Sequence, residues 1–165
     1  MDVNFELSRT AVATISAVNK QAVFETLAER FAESYDLDAG TVIDGLEERE
    51  RLGSTGFGRG VAIPHARLNG IERPVAALLK LDSAVEFEAA DGMPVDLVIG
   101  LISPANAGTV HLHALAAISR MVRDDAIYNS LIRAQSSETL FAILTNVVGS
   151  GTANDNTSGI KRERA

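Results

Sequence analysis

The chain has 165 residues, which fits one domain, and its 46% hydrophobic and 22% charged residues are typical of a soluble globular protein. It contains no cysteine, which excludes disulfides, thiolate nucleophiles and zinc or iron–sulfur sites built on cysteine. Its formal net charge of −7 argues against a nucleic-acid partner, because such binding depends on neutralising phosphates with Lys and Arg.

The first residues, "MDVNFELSRTAVATISAV", have neither the basic start nor the long apolar core of a signal peptide. No apolar run in the sequence approaches the ~20 residues needed to span a bilayer. We therefore expect a cytoplasmic protein without membrane insertion.

The N-terminal third of the chain predicts an extended segment and two helices. Residues 10–18, "TAVATISAV", are β-branched and apolar and indicate a strand or an extended lead-in. Asn19 is a suitable cap for the helix that follows, because the next apolar residues recur at helical spacing. A second helix is predicted over about residues 41–51, with Gly53 placed to end it.

The middle of the chain predicts the sheet. "VAIPH", residues 61–65, reads as a short apolar strand stopped by Pro64. Residues 75–81 and 95–103 are continuous apolar runs, which are typical of interior strands covered on both faces. The segment between them, "VEFEAADGMP", predicts a short strand and a turn at Asp91–Gly92.

The C-terminal part returns to helical spacing from Thr109 onward in three successive segments, the last capped by Ser136. The order of elements predicts a single layered α/β domain over residues 1–148, with helices on a central sheet. Residues 149–165, "GSGTANDNTSGIKRERA", are polar and predict a disordered tail.

Two of the three histidines form an H-x-H pair, His111 and His113. Both rings would share a face on a strand, but on a helix they lie about 200° apart. The surrounding residues favour a helix, with His111 on the apolar stripe and His113 toward solvent. A shared metal site is therefore disfavoured, and His111 by itself also fits a core-edge histidine bonded to a backbone carbonyl.

The third histidine, His65, follows a glycine-rich stretch, "GSTGFGRG" (residues 53–60), whose backbone is unusually free. Arg49 lies just before that stretch. The stretch lacks the lysine of a Walker A loop, and it leads into a strand rather than out of one, which disfavours a nucleotide site. Glycines let backbone N–H groups approach an anion closely, so a phosphoryl site beside His65 is one interpretation. A series of ordinary turns is the other. The candidate loop residues are Gly53, Ser54, Thr55, Gly56, Gly58 and Gly60.

Two segments carry a family resemblance. "EERERLGSTGFGRGVAIPHAR" and "PVDLVIGLISPANAGTVHLHALAAISRMV" resemble the signature segments of enzyme IIA domains of the bacterial phosphoenolpyruvate-dependent phosphotransferase system, fructose–mannitol class. The resemblance covers about residues 6–147 and is greatest to the nitrogen-regulatory type. It implies a mixed parallel and antiparallel sheet flanked by helices.

The resemblance also implies roles for particular residues. His65 falls on the phosphorylated histidine, His111 on a second histidine that supports the phosphoryl group, and Arg49 on an arginine near the phosphate. The activity implied is protein-to-protein phosphoryl transfer, with an HPr-like phosphocarrier as donor and no cofactor beyond the transferred group. Regulatory target proteins or a IIB domain would be the downstream partners.

The chain departs from the commoner family pattern at two places. "SPAN", residues 103–106, stands where an apolar residue, a proline and Ala-Asp are expected, and Ala66 stands where glycine is frequent. Subtype therefore stays open between a regulatory IIA and a sugar-specific IIA that passes the phosphoryl group to a IIB domain. A metal- or nucleotide-dependent enzyme and a pure interaction module are weaker alternatives.

Overall fold

A computed structural model describes residues 5–147 of the chain. Its centre is a six-stranded sheet of β1 (Glu6–Ile15), β2 (Gly56–Gly58), β3 (Val61–Ala62), β4 (His65–Leu68), β5 (Val75–Val85) and β6 (Val95–Pro104). The strand order is β1-β5-β6-β3-β2, with β4 also paired to β6. β1 runs parallel to β5, β5 is antiparallel to β6, and β3 and β4 run parallel to β6. The predicted α/β fold with a mixed sheet is confirmed.

Helices cover both faces of this sheet. They are α1 (Lys20–Tyr35), α2 (Ala39–Arg51), α3 (Thr109–Arg123), α4 (Asp125–Arg133) and α5 (137–147). On β5, Ala77 and Leu79 pack into the core under α1 and α2, whereas Ala76 and Leu78 pack into the core under α3, α4 and α5. Both faces of β5 and β6 are thus dry, which explains the continuous apolar runs and confirms the predicted interior strands.

Side-chain caps fix where the helices begin. The Asn19 side chain accepts a hydrogen bond from the Ala22 N–H, and Ser136 Oγ accepts one from the Thr139 N–H, so both predicted caps are confirmed. α2 begins two residues before the predicted position, because the Asp38 carboxylate caps it through the Thr41 N–H.

Three strand predictions differ from the structure. β1 begins at Glu6 rather than near residue 10, because Glu6 already pairs with Val75 of β5. No separate strand forms over residues 86–89; the turn at Asp91–Gly92 is present and is closed by the Gly92 N–H on the Ala89 carbonyl.

The third difference lies at Pro64. β3 ends at Ala62, and the chain resumes as β4 at His65 instead of stopping. The Pro64 carbonyl still accepts the Leu101 N–H at 3.0 Å, so the segment stays beside β6 through the interruption. His65 is therefore the first residue of a strand, and the proline before it is held beside β6 by this hydrogen bond.

No helix within residues 5–147 combines the length and the apolar character needed to cross a membrane. The predicted tail over residues 149–165 lies outside the described residues. The division into a domain over residues 1–148 and a tail stays a prediction.

Candidate functional site

His65 has one ring nitrogen engaged and one available. Its Nδ1 lies 2.8 Å from the Ile63 carbonyl oxygen. Because a carbonyl only accepts, Nδ1 carries the proton of the neutral ring, and Nε2 keeps a lone pair. Nε2 makes no hydrogen bond to any described residue, and no buried side-chain nitrogen or oxygen in residues 5–147 lacks a partner. Nε2 therefore remains accessible.

His111 lies beside His65 and is almost fully buried. The two ring centroids are 5.7 Å apart, and the ring planes are inclined by 46°. His111 Nδ1 lies 2.6 Å from Ser103 Oγ, whereas His113, two residues later on α3, is exposed. The predicted separation of the H-x-H pair is confirmed, and it follows from helical spacing. Within residues 5–147, no three His, Cys, Asp or Glu side chains are grouped so that they could hold a metal ion.

Arg49 completes the predicted trio. It lies in the last turn of α2, where its Nη1 donates to the Gly53 carbonyl at 2.9 Å. With His65 and His111 it lines an open cleft of about 430 Å³. The structure thus brings together the three side chains predicted to carry the chemistry.

Sequence reasoning missed a second arginine in this cleft, Arg67. It follows His65 by two residues on β4, and alternate residues of a strand share a face. That spacing could have predicted that Arg67 lies on the same face as His65. With Arg49 it gives the cleft two guanidinium groups.

The surroundings of both histidines disfavour the imidazolium form. Burial is the main cause that lowers the pKa of His65 below 6.5, and Arg49 and Arg67 lower it further, against the Ile63 carbonyl and Glu50. Burial also lowers the pKa of His111 to about 4, with Arg67 and His65 adding to the effect. At neutral pH the cleft therefore holds two neutral imidazoles and two guanidinium groups, and Glu48 also lines it. This combination offers a nitrogen nucleophile beside positive charge.

None of the six predicted loop residues lines the cleft itself, although the Gly53 carbonyl accepts a hydrogen bond from Arg49. Ser54 Oγ donates to the Phe87 carbonyl at 2.7 Å. Thr55 donates to the Glu50 carboxylate twice, from its N–H at 2.9 Å and from its hydroxyl at 2.5 Å. Glu50 in turn pairs with Lys20 Nζ at 2.6 Å. The hydroxyl groups of the loop thus already have protein partners.

The glycines of this stretch have packing reasons of their own. A Cβ on Gly56 would lie 2.7 Å from the Ala89 side chain. Gly60 has φ +86°, and a Cβ there would lie 2.9 Å from the Tyr128 hydroxyl, which donates to Asp96. These contacts explain why positions 56 and 60 of the β2–β3 hairpin are glycines. Its predicted contact with a phosphoryl group stays a prediction.

The family follows from comparison with known proteins. Residues 7–147 match the family model described as "Phosphoenolpyruvate-dependent sugar phosphotransferase system, EIIA 2". The chain belongs to this family. The EIIA type-2 domains are phosphotransfer components of that system, so the cleft lies in a domain of phosphoryl-relay type.

Three relatives place the chain within the EIIA type-2 family. A "Nitrogen regulatory protein" of Pseudomonas aeruginosa is 40% identical over 83% of this chain and 90% of its own length. A "PTS system fructose-specific EIIA component" of Haloferax volcanii is 32% identical over 90% of this chain and 99% of its own. The crystal structure of the nitrogen regulatory protein IIA-Ntr from Neisseria meningitidis superposes with a TM-score of 0.77 at 36% identity, covering 84% of this chain and 95% of that one.

Proposed function

We propose that the protein accepts a phosphoryl group on Nε2 of His65 from an HPr-like phosphocarrier and acts as a regulatory, nitrogen-type enzyme IIA. The observation that carries the proposal is the state of the His65 ring. Its Nδ1 is engaged by the Ile63 carbonyl at 2.8 Å, and its Nε2 is accessible in a cleft that Arg49 and Arg67 also line.

The transfer is a displacement between two nitrogens. The Nε2 lone pair of neutral His65 attacks the phosphorus on the carrier, the bond from phosphorus to the carrier breaks, and a bond from phosphorus to Nε2 forms. The proton on Nδ1 stays there, because the N–H donates a hydrogen bond to the Ile63 carbonyl before and after transfer. Positioning and charge stabilisation account for most of the catalysis in such a step.

Three side chains suit the roles of phosphoryl ligands. Arg49 and Arg67 supply charge that the dianionic group needs, and both line the cleft that His65 faces. His111, with its ring centroid 5.7 Å from that of His65, is placed to supply an N–H. Their proposed part is to stabilise charge as it arrives on the group.

Exposed apolar side chains on α3 and at the cleft favour a protein as phosphoryl donor. Leu52 lines the cleft and is 82% exposed, and Val110 and Leu112, which flank His111 on α3, are 49% and 56% exposed. Large apolar side chains that stay exposed in a folded protein suit a protein-binding surface. A phosphocarrier protein can cover these side chains, whereas a small phosphate donor leaves them in water.

The proposed regulatory role depends on the negative charge that phosphorylation adds to the surface. Phosphorylation of His65 adds about −1.5 to −2 charge at this surface, which changes what can bind there without a large rearrangement. The 40% identical nitrogen regulatory protein supports the regulatory role. The 32% identical fructose-specific component supports the alternative, in which a IIB domain receives the phosphoryl group for sugar uptake.

The test is intact-mass spectrometry at neutral pH after mixing the chain with phosphoenolpyruvate, enzyme I and an HPr-type carrier. We expect one phosphoryl increment on the wild type, none on His65→Ala, and one on His113→Ala, the matched control on an exposed histidine. An increment that persists in His65→Ala contradicts the proposal, as does a wild type that takes up nothing.

A second arm distinguishes the two outputs. The phosphorylated protein is mixed with a fructose-class IIB domain. Retention of the phosphoryl group supports the regulatory role, and rapid loss to the IIB domain supports the sugar-transport alternative.

A further inference from the structure

Ser103 is a buried serine that contacts one of the two cleft histidines. It lies in "ISPAN" and is fully buried near the end of β6. Its Oγ lies 2.6 Å from Nδ1 of His111. A buried hydroxyl is costly unless it forms a hydrogen bond, so this contact is the feature that makes serine acceptable here.

We infer that Ser103 is a positioning residue that sets the tautomer of His111, with its hydroxyl donating to Nδ1 so that Nε2 carries the ring proton. The consequence for phosphoryl transfer rests on the proposed function, whereas the tautomer itself does not.

The direction of this hydrogen bond follows from counting donors. Ser103 Oγ has no other hydrogen-bond partner among the described residues. If Nδ1 of His111 donated to Oγ, the hydroxyl proton would be left buried without an acceptor. If the hydroxyl donates to Nδ1, that proton is used and only lone pairs of Oγ remain idle, which costs less.

The His111 ring then presents its remaining nitrogen as a donor. Nε2 makes no hydrogen bond to a described residue, and it is not a buried unpartnered atom, so it stays accessible beside His65. A proton on that nitrogen can be donated to a phosphoryl group on His65, whereas a bare lone pair would repel it. Ser103 therefore prepares the donor before the phosphoryl group arrives.

A hydroxyl also suits the state after transfer. A dianion next to His111 favours its protonated form, in which Nδ1 becomes a donor. The Ser103 hydroxyl can then rotate and accept, because it is both donor and acceptor. An apolar residue at this position can form a hydrogen bond with neither the neutral nor the protonated His111 ring.

The test is ¹⁵N NMR of the histidine rings in the unphosphorylated full chain at neutral pH. We expect the wild type to carry its His111 proton on Nε2, with Nδ1 unprotonated. Ser103→Ala should give a mixture of both tautomers, and Ser103→Thr, which keeps the hydroxyl, should restore the wild-type pattern. Protonated Nδ1 in the wild type, or an unchanged tautomer in Ser103→Ala, overturns the inference. If the extra methyl of threonine unfolds the chain, the alanine spectrum alone decides.

The functional readout is the single-turnover rate of phosphoryl transfer from the carrier. We expect Ser103→Ala to slow transfer about 3- to 10-fold and Ser103→Thr to stay within about twofold of the wild type. A changed tautomer with an unchanged rate overturns the positioning role. A wild type with the expected tautomer that is never phosphorylated refutes the proposed function instead, so the two failures are distinguishable.

Discussion

The cleft around His65 and the β2–β3 hairpin are neighbours in the chain but differ in how their polar groups are used. In the hairpin region, Ser54 and Thr55 bond to Phe87 and Glu50, and a Cβ on Gly56, Gly58 or Gly60 would lie 2.7 to 3.2 Å from another side chain. In the cleft, Nε2 of His65 and Nε2 of His111 make no hydrogen bond to a described residue. A high density of glycines therefore indicates close backbone packing, whereas a candidate reactive site is marked by converging side chains with unused hydrogen-bonding atoms.

Among the cleft variants, His111→Ala should give the largest loss of transfer rate. Removing one preorganised donor to a developing charge costs roughly 10²- to 10³-fold in rate, so transfer from the carrier to His65 should slow by that amount. Single-turnover mass spectrometry measures it. His113→Ala on the exposed face of α3 is the control and should match the wild type. Equal losses in both variants would mean that α3 acts through its fold and not through the His111 ring.

Arg49→Gln should give the next largest effect. A hydrogen bond to a charged group contributes about 1.5–3 kcal/mol, so its loss should slow transfer roughly 10- to 100-fold. Arg51 lies two residues later on α2, is exposed and does not line the cleft, which makes Arg51→Gln the matched control. A rate for Arg49→Gln that equals the rate for Arg51→Gln would remove Arg49 from the site.

Gly60→Ala tests the hairpin side of the comparison. The positive φ and the close Tyr128 hydroxyl should lower the free energy of unfolding by roughly 1–3 kcal/mol, measured by urea denaturation, while the rate per folded molecule stays unchanged. Gly70→Ala has a similar φ, +90°, with nothing within 4 Å, and should lose less stability. A rate loss in Gly60→Ala without a stability loss would support the prediction that the glycine loop binds the phosphoryl group.

The smallest expected effect is a change in the pKa of His65 caused by nearby charges. Because burial and the two guanidinium groups lower the pKa of His65, its NMR titration midpoint should lie below 6.5, and the ring should stay a nucleophile as the pH falls through that value. Arg67→Gln should move the midpoint upward, since one cation that disfavours the imidazolium is gone. Arg73→Gln, an exposed arginine outside this cleft, is the control. A midpoint above 6.5, or one that Arg67→Gln lowers, would contradict this electrostatic account.

Much of the fold was predictable because its signals are local. Asn19 and Ser136 cap their helices as expected, and the continuous apolar runs mark β5 and β6, whose faces are both covered. The restart of the chain as β4 after Pro64 was not predictable, since it depends on pairing with β6, which lies about thirty residues later.

The candidate site was predictable in part. Arg49, His65 and His111 come together as the family resemblance implied, although they lie far apart in sequence. Arg67 could have been found from strand alternation. The contact of Ser103 with His111 could not, because it joins two elements whose relative placement only the fold determines. The Ile63 carbonyl that engages His65 is a backbone atom and carries no residue-specific signal.

The most direct test of the central claim is to identify which nitrogen carries the phosphoryl group. ¹⁵N and ³¹P NMR of the chain phosphorylated by its carrier distinguishes Nδ1 from Nε2 on each ring. The account predicts one phosphoryl group on Nε2 of His65, with Nδ1 still protonated toward the Ile63 carbonyl. A phosphoryl group on Nδ1 of His65, or on His111, would contradict it.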